Sequence, residues 1–241
     1  MKHYIDRAIP DSYTLVQSGS PVTFAPGRGL DNLNRLNVRR NTSAPSFTNA
    51  GGTLTATFSG PTVVNAVLFC NVSSQITNIV GESPSSSRTT IETTSSGHRN
   101  ILVEYFGVSF PSTWSFTITS SGSLSIGYVF FATGESFGPE VNPDYGLNIV
   151  TEEPSVGGRL PNGQSWNNLV GERFDILNGQ WTTLVPEDRY RNFLAGVRRP
   201  SITWFEGATA PMLTQDYDLR YNQRIQSFGQ HVRPFALKEI V

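Results

Sequence analysis

Cysteine occurs once in 241 residues, at Cys70, so no internal disulfide can staple this chain and no multi-cysteine metal site can form. Histidine is nearly as scarce. His3 stands near the free end, His98 in the turn 95–99 and His231 at the opening of the last strand; no pair has metal-ligand spacing, and all three are expected to be solvated. Charged residues make up 15% of the chain with a formal net charge of −1, whereas phosphate neutralisation needs a clustered excess of Lys and Arg. Arg39-Arg40 and Arg198-Arg199 are isolated pairs, so nucleic acid is not an expected partner. No apolar run approaches the roughly 18 to 20 residues that span a bilayer. The opening Met1-Lys2-His3-Tyr4-Ile5-Asp6 lacks the apolar stretch of a secretion signal. The expectation is a soluble chain made in the cytoplasm and not exported by that route.

Signatures of catalysis are missing as well. There is no GxSxG elbow, Walker loop or GxGxxG fingerprint, and Pro26-Gly27-Arg28-Gly29-Leu30 reads as a turn before a strand. Glu152-Glu153 and Glu187-Asp188 are sequence neighbours, which does not give the separation across a sugar that a glycosidase pair needs. Cys70 ends an apolar run, where a thiol acts as a small buried hydrophobe. No catalytic residue, metal ligand or cofactor site is predicted, and the chain is read as a non-enzyme.

What the chain has in abundance is Ser, Thr, Asn, Gly and β-branched residues, which favour strands joined by tight turns. In the run 52–58, Leu54, Ala56 and Phe58 alternate with threonines, the period of a half-buried antiparallel strand. Trp114, Phe116 and Ile118 alternate with Ser and Thr in the same way, which assigns Trp114 to the core. Residues 124–131 form a further run after the turn Ser120-Ser121-Gly122. Val63 to Cys70 and Ile101 to Phe106 are nearly continuously apolar, which suits central strands covered on both faces. Many short strands without helical period predict an all-β fold, with a jelly-roll-like β-sandwich over residues 1–136.

Residues 137–165 carry repeated Gly and Pro and read as a connector that limited proteolysis should cut first. Residues 166–241 read as a smaller β-rich assembly domain with strands at 173–177 and 201–206. One short helix begins at Pro186, with Glu187 and Asp188 in its first turn and Tyr190, Phe193, Leu194 and Val197 on one face. The tail reads as a hairpin of residues 219–228 and 231–241 about Gly229-Gln230. Because Pro234 has no N–H to donate, its strand is expected at a sheet edge. There Pro234, Phe235, Leu237, Ile240 and Val241 are the candidate assembly residues. Trp166, Trp181 and Trp204 lie near amides and hydroxyls and are read as anchors of an interface or a second core. Trp166 and Trp181 are also the candidate contacts for a host cell-surface glycan.

The apolar strand Val63 to Phe69, the closing strand Ile126 to Phe131 followed by Gly134 and Phe137-Gly138, and the final Phe235-Ala236-Leu237-Lys238-Glu239-Ile240 form a familiar layout. In pattern it resembles the small tail proteins of tailed bacteriophages, with a galactose-binding or discoidin-like sandwich and distal-tail or baseplate-like closing strands. That resemblance implies a virion structural protein of the tail. Its implied partners are copies of itself in a ring-like homo-oligomer and other phage tail proteins, and no catalytic residue is carried over. A glycan-binding module and a polysaccharide-cleaving enzyme stay open beside it, because sandwiches host all three functions.

Overall fold

The computed structural model describes residues 2–35, 46–47, 51–84, 87–95, 98–107, 110–133, 147–171, 173–181, 199–205, 209, 211–216, 224–227 and 230–240. The protein is all-β, built mainly of three antiparallel sheets. An outer sheet has the spatial order Ser20–Pro21, Ser12–Gln17, Gly52–Thr57, Thr113–Ser120, Ile76–Ser83. A middle sheet has the order Asp6–Ala8, Tyr128–Thr133, Ala66–Cys70, His98–Phe106, Ser87–Ser95. From residue 66 onward the chain crosses repeatedly between these two sheets, as the strands of a jelly roll do.

The alternation read in the sequence sets this packing. Leu54, Ala56, Trp114, Phe116 and Ile118 turn inward from the outer sheet and meet Val67, Phe69, Val103 and Phe131 of the middle sheet in one core. Its rings meet edge to face: Tyr105 on Trp114 with centroids 4.7 Å apart at 90°, and Phe69 on Phe116 at 5.0 Å and 80°, the arrangement that the ring quadrupole favours.

A third sheet runs Lys2–Tyr4, Ser201–Trp204, Met212–Asp216, Gln230–Glu239, Phe174–Trp181, Asn148–Glu152, and Arg224–Ser227 pairs with part of Gln230–Glu239. It lies on the other face of the middle sheet. Ala66, Leu68, Cys70, Leu102, Tyr128 and Phe130 pack there against Tyr4, Ile202 and Leu213, with Trp204 and Ile240 at the margin. All five residues of Ala66–Cys70 are buried because successive side chains enter two different cores. The expectation of a strand covered on both faces holds, and the cover is the chain's own third sheet.

The division of the chain differs from the sequence reading. Lys2–Tyr4 belongs to the third sheet, Asp6–Ala8 to the middle one and Ser12–Gln17 to the outer one, so the first 17 residues visit every layer. Residues 137–146 lie outside the described residues, but 147–165 are not a bare connector: Asn148–Glu152 completes the third sheet and Ser155–Arg159 pairs with Ser165–Leu169. The predicted helix at 186–197 lies outside the described residues. After the turn at Gly27, which has φ +74°, the chain enters a single 3-10 turn, Leu30–Asn34, instead of the expected strand.

Candidate assembly surface

The predicted C-terminal hairpin forms, with Arg224–Ser227 paired to the start of Gln230–Glu239, but its last strand is not an edge. Phe174–Trp181 pairs along one flank, where Gln180 stands opposite Pro234. Along the other flank Arg224–Ser227 covers residues 230–232 and Met212–Asp216 covers 237–239. Pro234 falls in the interval where one partner gives way to the next, which is how a strand lacking that N–H sits inside a sheet. The candidate assembly residues are correspondingly core. Leu237 is fully buried, Phe235 is buried, and Ile240 packs against the middle sheet. Val241 lies outside the described residues.

Titratable and hydroxyl side chains converge on the far face of the same sheet. Thr151 Oγ1 donates to Asp175 Oδ1 at 2.7 Å, and the Asp175 backbone N–H donates to Glu239 Oε2 at 3.2 Å. Thr203 and Thr214 share a 2.7 Å hydroxyl hydrogen bond, and His3 Nε2 lies 2.8 Å from Ser201 Oγ. A His–Ser contact is the pairing of a nucleophilic dyad, but neither side chain meets solvent. The expectation of a solvated His3 is therefore corrected: it is fully buried on a strand that pairs with Ser201–Trp204, opposite Thr203.

Burial pushes the His3 pKa down from 6.5 to about 3, so the folded state holds the neutral ring. Above the unfolded-state value neither state binds the proton and the native state bears no penalty. As pH falls below 6.5 the unfolded state takes up a proton that the folded state refuses, and stability drops by roughly 1.4 kcal/mol per pH unit until the folded value is reached. Urea titrations between pH 6 and 4 should show that slope in the parent protein and its loss in His3→Gln. Equal slopes in both would mean that His3 is not the group responsible.

One described surface that no part of the fold covers is the ribbon of Ser155–Arg159 and Ser165–Leu169. Both strands are exposed throughout and pair only with each other. At the base, the Val170 N–H donates to the Pro154 carbonyl at 2.9 Å and Arg173 pairs with Glu153. At the tip, Gly163 takes φ +85° and its N–H donates to Leu160 O at 2.8 Å, a turn that a residue with a Cβ would strain. Trp166 lies across the ribbon over Gly158, where an added Cβ would stand 2.9 Å from the indole nitrogen. The ribbon leaves Val156, Leu160, Trp166, Leu169 and Val170 exposed, Leu169 by 68% and Trp166 by 40%.

Of the other tryptophans, Trp114 is in the sandwich core as expected. Trp204 is half-buried between the third and middle sheets with the Lys2 ammonium 4.7 Å from its ring. Trp181 ends its strand at a register position opposite Arg233, and its side chain lies outside the described residues. Among the described residues no group of three or more His, Cys, Asp or Glu stands together to hold a metal. Compared with known proteins, the chain matches no family model, no curated protein sequence and no solved structure.

Proposed function

We propose that this chain is a virion structural protein of the tailed-phage kind, a tail or baseplate component that assembles with copies of itself and docks to neighbouring proteins. The observation that carries the reading is the ribbon at 155–169. A two-stranded ribbon alone is marginally stable in water, and this one leaves Val156 and Trp166 exposed on one face and Leu169 on the other, apolar surface that a partner would cover. The placement in a phage tail rests on the resemblance in sequence pattern.

Replacing residues 155–169 by two glycines is a mild deletion, because Pro154 and Val170 are already hydrogen-bonded neighbours. The parent chain should sediment above its 26.5 kDa monomer mass, while the deleted chain forms smaller or weaker assemblies with an unchanged melt. A parent chain that stays monomeric at every accessible concentration would overturn self-assembly.

One observation favours a second reading, a glycan contact. The Trp166 ring is backed by Gly158, and Asn168 lies on the same ribbon face, an aromatic platform beside an amide. Glycan-array binding lost in Trp166→Ala and kept in Leu169→Ser would establish that reading in place of an assembly role for Trp166.

A further inference from the structure

We infer that the edge strand Asn148–Glu152 is the seam between two copies of this chain, pairing antiparallel with itself across a two-fold axis at Val150. The inference rests on the assembly reading above and names the partner and the surface. Sheet edges are templates for pairing and are ordinarily blunted. Most described edges here are. Ser20–Pro21 is two residues long and contains a proline, Asp6–Ala8 and Lys2–Tyr4 are three residues long and charged, and Ile76–Ser83 is irregular at two places along its ladder. Ser87–Ser95 is longer, nine residues of Ser and Thr around a single Ile91, and carries the charges of Arg88 and Glu92 along its length. Asn148–Glu152 differs from all of them. It is five residues long, exposed throughout, free of proline and basic residues, and presents Ile149 and Val150 to solvent.

The sequence of that strand selects a second copy as the occupant. A two-fold axis at Val150 sets Val150 against its own counterpart, Ile149 against Thr151 and Asn148 against Glu152. No carboxylate then faces a carboxylate, and β-branched side chains meet at the centre, the pairing that cross-strand energetics favour. The same register pairs all five residues, and the third sheet continues unbroken from one copy into the next. In that register Glu152 stands opposite Asn148 of the other copy, and each ribbon leaves its own sheet at Pro154, two residues past the end of the new ladder. The edge and the ribbon thus form one continuous surface.

Because Val150 faces itself, charge at that position gives a test that a contact with any other protein would not pass. Val150→Lys and Val150→Glu should each weaken the full-length dimer by roughly tenfold or more, since like charges directly opposite repel, with melts that still show the folded chain. Mixing the two variants should restore the dimer. In a separate measurement, Val150→Cys should form a disulfide-linked dimer on mild oxidation, while Gln75→Cys in the exposed turn before Ile76–Ser83 should not. If the parent assembles but both charged variants assemble equally well, or if Val150→Cys does not cross-link, the seam lies elsewhere and the assembly reading survives. If the parent is monomeric throughout, the assembly reading itself falls and takes the seam with it.

Discussion

Deletion of residues 232–241 should dismantle the third sheet and leave no well-folded sandwich behind. The final strand lies between two ladders, so its loss separates Phe174–Trp181 from Met212–Asp216. Phe235 stacks on Phe205 at 5.7 Å and 13°, seated over Gly179, and Leu237 is fully buried. Two such side chains contribute roughly 1.5–3 kcal/mol each. The ladder bonds add about 1 kcal/mol apiece, so the loss approaches the roughly 5–15 kcal/mol that holds a whole domain. The middle sheet would also expose Leu68, Leu102 and Phe130. Near-UV circular dichroism and urea unfolding should report a non-cooperative, aggregation-prone species. The milder Leu237→Ala should cost about 2–5 kcal/mol. A truncated chain with a full cooperative melt and normal sedimentation would show that the strand is peripheral.

That outcome reverses what Pro234 suggested in the sequence, and the reason is physical. A proline removes one donor on one flank, which excludes a strand from a sheet interior only if a single partner runs the length of that flank. Here two partners share it. The sandwich itself was legible, because Trp114, Phe116 and Ile118 alternate with small polar residues and the run at 63–70 is apolar on both faces. What covered that second face was not legible. The third sheet joins Lys2–Tyr4 to Ser201–Trp204, and no local period carries a pairing between residues 200 positions apart. The same pairing carries His3 into the sheet, where it is buried, although its place near the start of the chain suggested solvent. Gly157-Gly158 read as punctuation, whereas Gly158 is open backbone on which the Trp166 ring lies. The edge at 148–152 fell inside a stretch whose prolines and glycines pointed to a linker, so its exposed β-branched pair carried no signal until the sheet order was known.

Glu104→Ala should be a costly single substitution, at about 2–4 kcal/mol, through the joint between the middle and third sheets. Glu104 is almost fully buried in the otherwise apolar run 101–106. Its Oε2 receives the Lys2 ammonium at 2.9 Å and its Oε1 accepts from the Tyr4 hydroxyl. Both partners come from the first strand of the third sheet, so one carboxylate ties Lys2–Tyr4 to the layer beneath. Lys2 is partly exposed and regains water when the carboxylate is removed, but the buried Tyr4 hydroxyl loses that acceptor and a cavity opens beside it. Tyr4→Phe should cost less, about 1–3 kcal/mol, since it leaves the charge with one remaining partner. Glu104→Met, which fills the volume without a charge, should recover a large part of the loss, because replacing a buried ion pair by apolar bulk is often neutral. Chemical denaturation of the three variants separates the contributions. Equal stability for Glu104→Ala and the parent would mean that the apolar contacts of Ile202 and Leu213 alone hold the two sheets together.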